Sequence, residues 1–180
     1  MSDDAPKAGA AASGRPPSGS TARAPWRVLV VDPDPATRTR IAAILREHAE
    51  QRGRALAIDE ASDGTTALAL WSERRHRLVI TEIVVEGTSG LALLRRIRAE
   101  TPAAENAIAG PTVALGRRAT PPAPGGTSVV IVSQMARDAD RYWGLRQGAT
   151  AYFGKPFAND ALASAIRRVL DDPALALAPD

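Results

Sequence analysis

Five short runs of β-branched and other apolar residues recur along the chain. They cover Arg27 to Val31, Leu56 to Asp59, Leu78 to Thr81, Ser128 to Val132 and Ala151 to Phe153. Each run has the length and composition of a β-strand. Because the runs are apolar almost throughout rather than alternating, they are typical of a parallel sheet that is covered on both faces.

Segments with the three-to-four spacing of α-helices lie between these predicted strands. Asp34 is a favourable N-cap because Pro35 follows at the first helical position. The predicted helices begin after Asp34, Asp63 and Ser89, and then cover residues 138–147 and 159–170. Five strands that alternate with five helices predict a doubly wound α/β sandwich with right-handed crossovers.

Composition narrows the class of protein. Of the 180 residues 44% are hydrophobic, which is enough for one packed domain, and the lack of cysteine excludes disulfides, thiolate metal sites and cysteine nucleophiles. No apolar run approaches the roughly 18 residues that span a bilayer. The start of the chain also lacks the basic and apolar regions of a signal peptide. We therefore expect a cytoplasmic protein that has no membrane partner.

Arginine dominates the basic residues, but it does not indicate a nucleic-acid partner. The net charge is only +3, and the arginines are scattered among acidic residues. The cluster Arg95, Arg96 and Arg98 in the predicted third helix is expected to be a solvated face.

Two stretches differ in composition from the rest. Residues 1–25 consist almost entirely of Ala, Pro, Gly, Ser and charged residues, which predicts a disordered N-terminal tail. Residues 101–127 are rich in Pro and Gly and predict an unusually long loop before the fourth strand, either disordered or packed locally through its short apolar piece. The predicted domain covers residues 26–171, and we expect residues 172–180 to be a short C-terminal tail with no output domain.

Residues with reactive or charged side chains follow the ends of the predicted strands. They are Asp32 and Asp34 after the first strand, Glu82 after the third, Ser133 after the fourth, and Lys155 with Pro156 after the fifth. In doubly wound sheets the functional groups gather outside the carboxyl ends of the strands. Carboxylates, a hydroxyl and an ammonium that converge on one edge are suited to a phosphate group or a divalent metal ion.

The order of these residues resembles the receiver domain of bacterial two-component response regulators, from about Arg27 to Leu170. VLVVDPDPATR resembles the opening strand with its acidic pair, and EASDGTTAL the second strand and the following helix start. RLVITEIVVEGTSGLALLRRIR resembles the segment that carries the phosphoacceptor, while IVSQM and GATAYFGKPF resemble the switch segments. The resemblance implies a flavodoxin-like (βα)5 sandwich whose five parallel strands have the order 2-1-3-4-5.

The resemblance also implies a role for each candidate residue. Glu82 stands at the phosphoacceptor position, Asp32 and Asp34 in the acidic pocket, Ser133 and Tyr152 at the switch positions, and Lys155 and Pro156 at the lysine–proline pair. The implied magnesium ligands are Asp32, Glu82 and the carbonyl of Val84. Two simpler interpretations stay open: Glu82 and Lys155 form an ordinary ion pair, and Tyr152 is a core residue. The Lys155–Pro156 bond is a candidate cis peptide.

Three positions depart from the family pattern. Glu82 replaces the aspartate that accepts the phosphoryl group, Pro33 replaces the second acid, and Glu86 replaces a proline. The extra methylene of glutamate displaces the carboxylate by about 1 Å, which can cost on the order of 10²-fold in a transfer that depends on positioning. Proline at position 33 also lacks the carboxylate that would bind a metal ion. We therefore expect that the protein requires no cofactor and that any Mg²⁺ binding is weakened.

These features predict a non-enzymatic, single-domain receiver-like module in phosphorelay signalling that no longer depends on phosphorylation. Its partner is expected to be a histidine kinase, a downstream effector or a second copy, bound through the fourth helix, fifth strand and fifth helix. The alternative is a receiver that a histidine kinase still phosphorylates with Mg²⁺. A hydrolase or nucleotide-binding protein is disfavoured, because the chain has neither a GxxxxGK[ST] loop nor a GxGxxG turn.

Overall fold

The computed structural model describes residues 24–100 and 126–172. The elements are β1 (Trp26–Val31), α1 (Pro35–Gln51), β2 (Leu56–Ala61), α2 (Gly64–Arg74), β3 (Leu78–Thr81), α3 (Gly90–Glu100), β4 (Ser128–Ser133), α4 (Asp138–Arg146), β5 (Ala151–Gly154) and α5 (Asn159–Leu170). Each predicted strand and helix is present, with bounds that differ by at most a few residues. The predicted tails and the predicted long loop fall almost wholly outside the described residues and stay predictions.

The five strands form one parallel sheet in the order β2-β1-β3-β4-β5, which confirms the predicted topology. Thr81 at the end of β3 pairs with Val31 of β1 and with Ile131 of β4. Ser133 at the end of β4 pairs with Gly154 of β5. Because these strands end in register, the residues that follow them meet at one edge of the sheet.

Helices cover both faces of the sheet, and each face has its own apolar layer. Alternate residues of β1 enter the two layers, so both sides of this strand are buried. The layer under α1 and α5 includes Val28, Val30, Leu45, Ile80 and Ile166, and the layer under α2 and α3 includes Leu29, Val31, Trp71, Leu94 and Ile131. This double coverage explains why the strands are continuous apolar runs.

Side-chain caps start the first three helices where the sequence predicts them. Asp34 accepts two backbone N–H groups of the first turn of α1, both at 3.1 Å. Asp63 accepts one such group in α2 at 2.8 Å, and the Ser89 hydroxyl accepts one in α3 at 3.3 Å. These acceptors satisfy N–H groups that have no partner within the helix.

The third helix does not present all its arginines to solvent, so that expectation is wrong for Arg98. Arg95 and Arg96 are exposed, whereas Arg98 is half-buried. Its guanidinium donates to the Gly148 carbonyl at 2.8 and 3.0 Å and to the Thr127 carbonyl at 2.7 Å. Burial lowers the pKa of Arg98 to about 10. Arg98 therefore joins α3 to the start of β4 and to the end of α4.

Among the residues that the structure describes, no helix combines the length and apolar character needed to cross a membrane.

Candidate functional site

Four of the predicted site residues meet at the carboxyl edge of the sheet. The Lys155 ammonium lies 2.6 Å from Oδ2 of Asp32 and 2.9 Å from Oε2 of Glu82. The Ser133 hydroxyl donates to Oε1 of Glu82. Asp32, Glu82 and Ser133 are all at most 2% exposed. We call these four residues the charge cluster.

The Glu82 carboxylate is surrounded by hydrogen-bond donors. Oε1 accepts from the Ser133 hydroxyl and from the backbone N–H groups of Ile83 at 2.7 Å and Val84 at 3.2 Å, while Oε2 accepts from the backbone N–H of Gln134 at 3.1 Å and from the Lys155 ammonium. A carboxylate offers about four lone-pair sites. Five donors therefore occupy the positions that another ligand of this carboxylate needs.

The charge cluster shifts the pKa values of its two central groups in opposite directions. Burial alone would raise the pKa of Glu82, but hydrogen bonds from Ser133 and Lys155 outweigh it and hold this pKa below its ordinary value. Burial would likewise lower the pKa of Lys155, but the hydrogen bonds to Asp32 and Glu82 raise it above its ordinary value. Both groups are thus charged at neutral pH, as an ion pair.

A chain of contacts connects the charge cluster with α4. The Ser133 hydroxyl oxygen accepts the backbone N–H of Met135 at 3.1 Å, and the Tyr152 hydroxyl donates to the carbonyl of the same Met135. The Tyr152 ring is buried against Gly144 of α4, where an added Cβ would lie 2.8 Å from a ring carbon. Burial is also the main reason that the pKa of Tyr152 is raised.

Asp34 and Pro156 border the charge cluster. The Asp34 carboxylate is exposed and caps α1, where hydrogen bonds led by that from the Thr37 hydroxyl lower its pKa. Its backbone N–H donates to Oδ1 of Asp32 at 3.0 Å. Pro156 is exposed, and the Lys155–Pro156 bond is cis, as the sequence suggested.

A magnesium ion prefers oxygen ligands from one or two carboxylates and several waters. Pro33 supplies no side-chain oxygen, and the oxygens of Asp32 and Glu82 accept protein donors. Within residues 24–100 and 126–172, no group of three His, Cys, Asp or Glu side chains is arranged to hold a metal ion. These residues fit an ammonium between two carboxylates rather than a magnesium ion.

Sequence reasoning missed two parts of this arrangement. The N–H of Gln134 binds Glu82, but backbone donors leave no signal in residue type. Gly144 receives the Tyr152 ring, and here a signal existed, because an isolated glycine in a predicted helix often marks a packing contact.

Comparisons with known proteins agree with this fold. Residues 28–110 match the family described as response regulator receiver domain. The chain is 28% identical over 144 residues to Protein PilH of Pseudomonas aeruginosa, with 80% of this chain and 97% of PilH covered. It is 28% identical over 131 residues to the transcriptional regulatory protein ResD of Bacillus subtilis, with 73% of this chain but only 42% of ResD covered.

Solved structures show the same fold at low sequence identity. The BeF3-activated receiver domain of DrrB has a TM-score of 0.61 and 19% identity, and the match covers 83% of this chain and all of that domain. The receiver domain of the putative response regulator NarL from Mycobacterium tuberculosis has a TM-score of 0.58 and 21% identity, with 80% of this chain and 94% of that domain covered.

The fold and these matches make the chain similar to the receiver domains of two-component response regulators. Residues 28–110 match the receiver-domain family, and the fold is the one the resemblance implied. The chain spans nearly the full length of PilH but less than half of ResD.

Proposed function

We propose that this domain is a bacterial, cytoplasmic receiver module that signals without phosphorylation, with the Glu82 carboxylate in place of a phosphorylated aspartate. The observation that carries the proposal is the donor set of Glu82. The Ser133 hydroxyl and the Lys155 ammonium contact Glu82 directly. The family resemblance implies that these two groups would otherwise bind the phosphoryl group.

The same donors oppose a role of Glu82 as phosphoacceptor. An attacking carboxylate needs a free oxygen in line with the phosphoryl donor. Each hydrogen bond to a charged group contributes about 1.5–3 kcal/mol, so freeing an oxygen of Glu82 is costly. Pro33 adds to this cost because it leaves a magnesium ion without one of its acids.

A carboxylate imitates a phosphoryl group only in part. It carries one negative charge, whereas a phosphoryl group carries about 1.5 to 2 and offers three acceptor oxygens. This smaller charge is permanent, however. We therefore expect Ser133 to stay turned toward Glu82 and Tyr152 to stay buried, so that one state is populated without a signal.

We assign partner binding to the face of α4, β5 and α5. Tyr142 and Trp143 of α4 are 56% and 60% exposed, and aromatic residues of this kind often dominate binding energy at interfaces. The occupant is a histidine kinase, a downstream effector or a second copy of the chain. The test is the affinity of the domain for such a partner, measured for Trp143→Ala and for the control Arg46→Ala on α1. We expect Trp143→Ala to bind more weakly, and equal binding by both variants would contradict this assignment of the face.

Acetyl phosphate and Mg²⁺, with intact mass as the readout, test the central claim. We expect no stoichiometric gain of phosphate by the wild-type chain, while a phosphorylatable receiver in a parallel reaction confirms that the donor is active. A gain that disappears in Glu82→Gln would overturn the proposal.

That outcome would establish the second candidate function, a receiver that still accepts a phosphoryl group from a histidine kinase with Mg²⁺. The observation that favours it is the direct contact of Lys155 with Asp32, because these two residues are retained from the family pattern.

A further inference from the structure

Two arginines of α1 contact the two loops that carry the Asp32–Lys155 ion pair. Arg38 donates through Nη1 to the Asp32 carbonyl at 2.7 Å. Arg40 extends to the other loop and to the start of α5: Nη2 donates to the Phe157 carbonyl in the loop at 2.9 Å, and Nε donates to Oδ1 of Asn159, the first residue of α5, at 2.7 Å. One helix is thus bonded to the loop after β1 and to the loop after β5.

Arg40 contacts Phe157 in a second way. Its guanidinium carbon lies 4.4 Å from the centroid of the Phe157 ring, a cation–π geometry. Phe157 is itself buried in the layer under α1 and α5. Arg40 therefore holds Phe157, two residues after Lys155, by its ring and its carbonyl, and it also holds the start of α5 through Asn159.

The backbone on the other side of the lysine is held by the sheet edge. The Lys155 N–H donates to the Ser133 carbonyl at 2.8 Å. Lysine has a long flexible side chain with about 2 kcal/mol of rotamer entropy, so a fixed backbone on both sides reduces what is lost when its ammonium binds.

We infer that Arg40 is a positioning residue for Lys155, which holds the loop after β5 so that the ammonium lies between Asp32 and Glu82. Arg38 does the same for the backbone of Asp32, so α1 sets the distance between the two loops. The inference deepens the proposed function, because the switch depends on the Lys155 contact. It concerns the position of the ammonium, however, which can be measured without any phosphorylation assay.

The composition of the chain makes this measurement selective. The sequence has two lysines, Lys7 and Lys155. In a Lys7→Arg background, lysine labelled with ¹³C at Cε gives one NMR signal from Lys155, and acylation by an amine reagent, mapped by peptide mass, gives its reactivity. We expect Arg40→Ala to lower the pKa of Lys155 and to speed its acylation several-fold. The two readouts are linked, because a fall of one pKa unit multiplies the neutral fraction at neutral pH by about ten.

Two further variants keep the test decisive. Asn159→Ala removes one of the Arg40 contacts and should give a smaller change in the same direction, which serves if Arg40→Ala does not fold. Arg46→Ala removes an arginine from the same helix, beside a groove next to β2, and should leave Lys155 unchanged. A Lys155 signal and acylation rate that do not change in folded Arg40→Ala, or that change equally in Arg46→Ala, would overturn the inference. Phosphate uptake by the wild-type chain would instead overturn the proposed function alone.

Discussion

At the scale of single residues, the contacts of the Glu82 side chain explain how the charge cluster is held together. The longer side chain of Glu82 allows its carboxylate to accept the N–H groups of the next two residues while it also contacts Ser133 and Lys155. Backbone donors and side-chain donors converge on the same two oxygens. The carboxylate is consequently held as firmly as a structural group.

The charge of Glu82 should stabilise the fold in a pH-dependent way. Glu82→Gln keeps the size of the side chain but leaves the partly buried Lys155 with Asp32 alone, and breaking a buried pair typically costs about 3–5 kcal/mol. Because the folded-state pKa of Glu82 is lowered, its contribution is present above the ordinary value of 4.5 and disappears as the pH falls through the folded-state pKa.

Urea unfolding at neutral pH and at a series of acidic pH values measures this effect. The difference between wild type and Glu82→Gln should shrink as the pH falls, while Glu86→Gln in the exposed loop should show almost no difference at any pH. A gap between wild type and Glu82→Gln that is constant with pH would contradict the assigned charge.

The sequence predicts which side chains meet, because residue type at a strand end is visible and the parallel topology brings these ends together. It does not predict how they are satisfied. The donors from Ile83, Val84 and Gln134 are backbone groups whose direction depends on the turn after each strand. Asp34 illustrates the same limit, since its cap on α1 was predicted but its backbone contact with Asp32 was not.

At the scale of elements, the interface between α4 and β5 depends on the glycine of α4. Of the nine residues of this helix, all of them described, Gly144 is the buried one. An added Cβ would meet the Tyr152 ring at 2.8 Å and a methyl group of Ile131 at 3.1 Å. The position of Tyr152 and the packing of α4 are therefore linked.

Gly144→Ala should move the Tyr152 ring outward or displace α4. The substitution gains up to about 1 kcal/mol in helix propensity, but overpacking of a close contact costs about 1–3 kcal/mol, so we expect a net loss of stability. The measurement is a double-mutant cycle with Tyr152→Leu, in which the smaller side chain should relieve the clash. Additive effects of the two substitutions would show that the contact is not the cause.

Arg98 connects α3 with two other elements, and its removal should be costly. Arg98→Ala leaves the carbonyls of Gly148 and Thr127 without a charged donor, which we expect to cost about 2 kcal/mol or more. The matched variant Arg95→Ala, on the exposed side of the same helix, should stay within about 0.5 kcal/mol of wild type. Chemical denaturation measures both, and equal effects would mean that Arg98 behaves as a surface residue. The helical pattern identified the helix, but it could not identify this contact, because Gly148 is distant in sequence.

At the scale of the whole molecule, the topology could be predicted almost completely. The apolar strands require helices on both faces, and right-handed crossovers leave few ways to connect five such units. Local signals such as the caps at Asp34 and Asp63 agree with this global arrangement, and such agreement is typical of sequences that specify one fold. The positions of the Ser133 and Tyr152 side chains cannot be predicted in this way, since they depend on a balance of contacts within the same topology.

That balance yields a prediction for the molecule as a signalling device. If the charge cluster replaces phosphorylation, restoring the acceptor alone by Glu82→Asp should not restore robust phosphate uptake. Pro33 would still supply no carboxylate ligand to Mg²⁺, and phosphoryl transfer depends on this ion to position the reacting groups. Glu82→Asp combined with Pro33→Asp should restore uptake from acetyl phosphate, in a manner that requires Mg²⁺, with intact mass as the readout.

The single and double variants separate the effect of Glu82 as acceptor from the effect of the missing carboxylate at Pro33. Pro33→Asp alone is the matched control, since it adds the acid while Glu82 keeps its five donors, and it should not take up phosphate. If Glu82→Asp alone restores phosphate uptake, a carboxylate at position 33 is not needed, and the geometry of the acceptor alone would keep the wild-type chain from taking up phosphate. If only the double variant takes up phosphate, both Glu82 and Pro33 prevent phosphorylation of the wild-type chain. The Tyr152 ring should then change its exposure on phosphorylation in the double variant and in no other form of the protein.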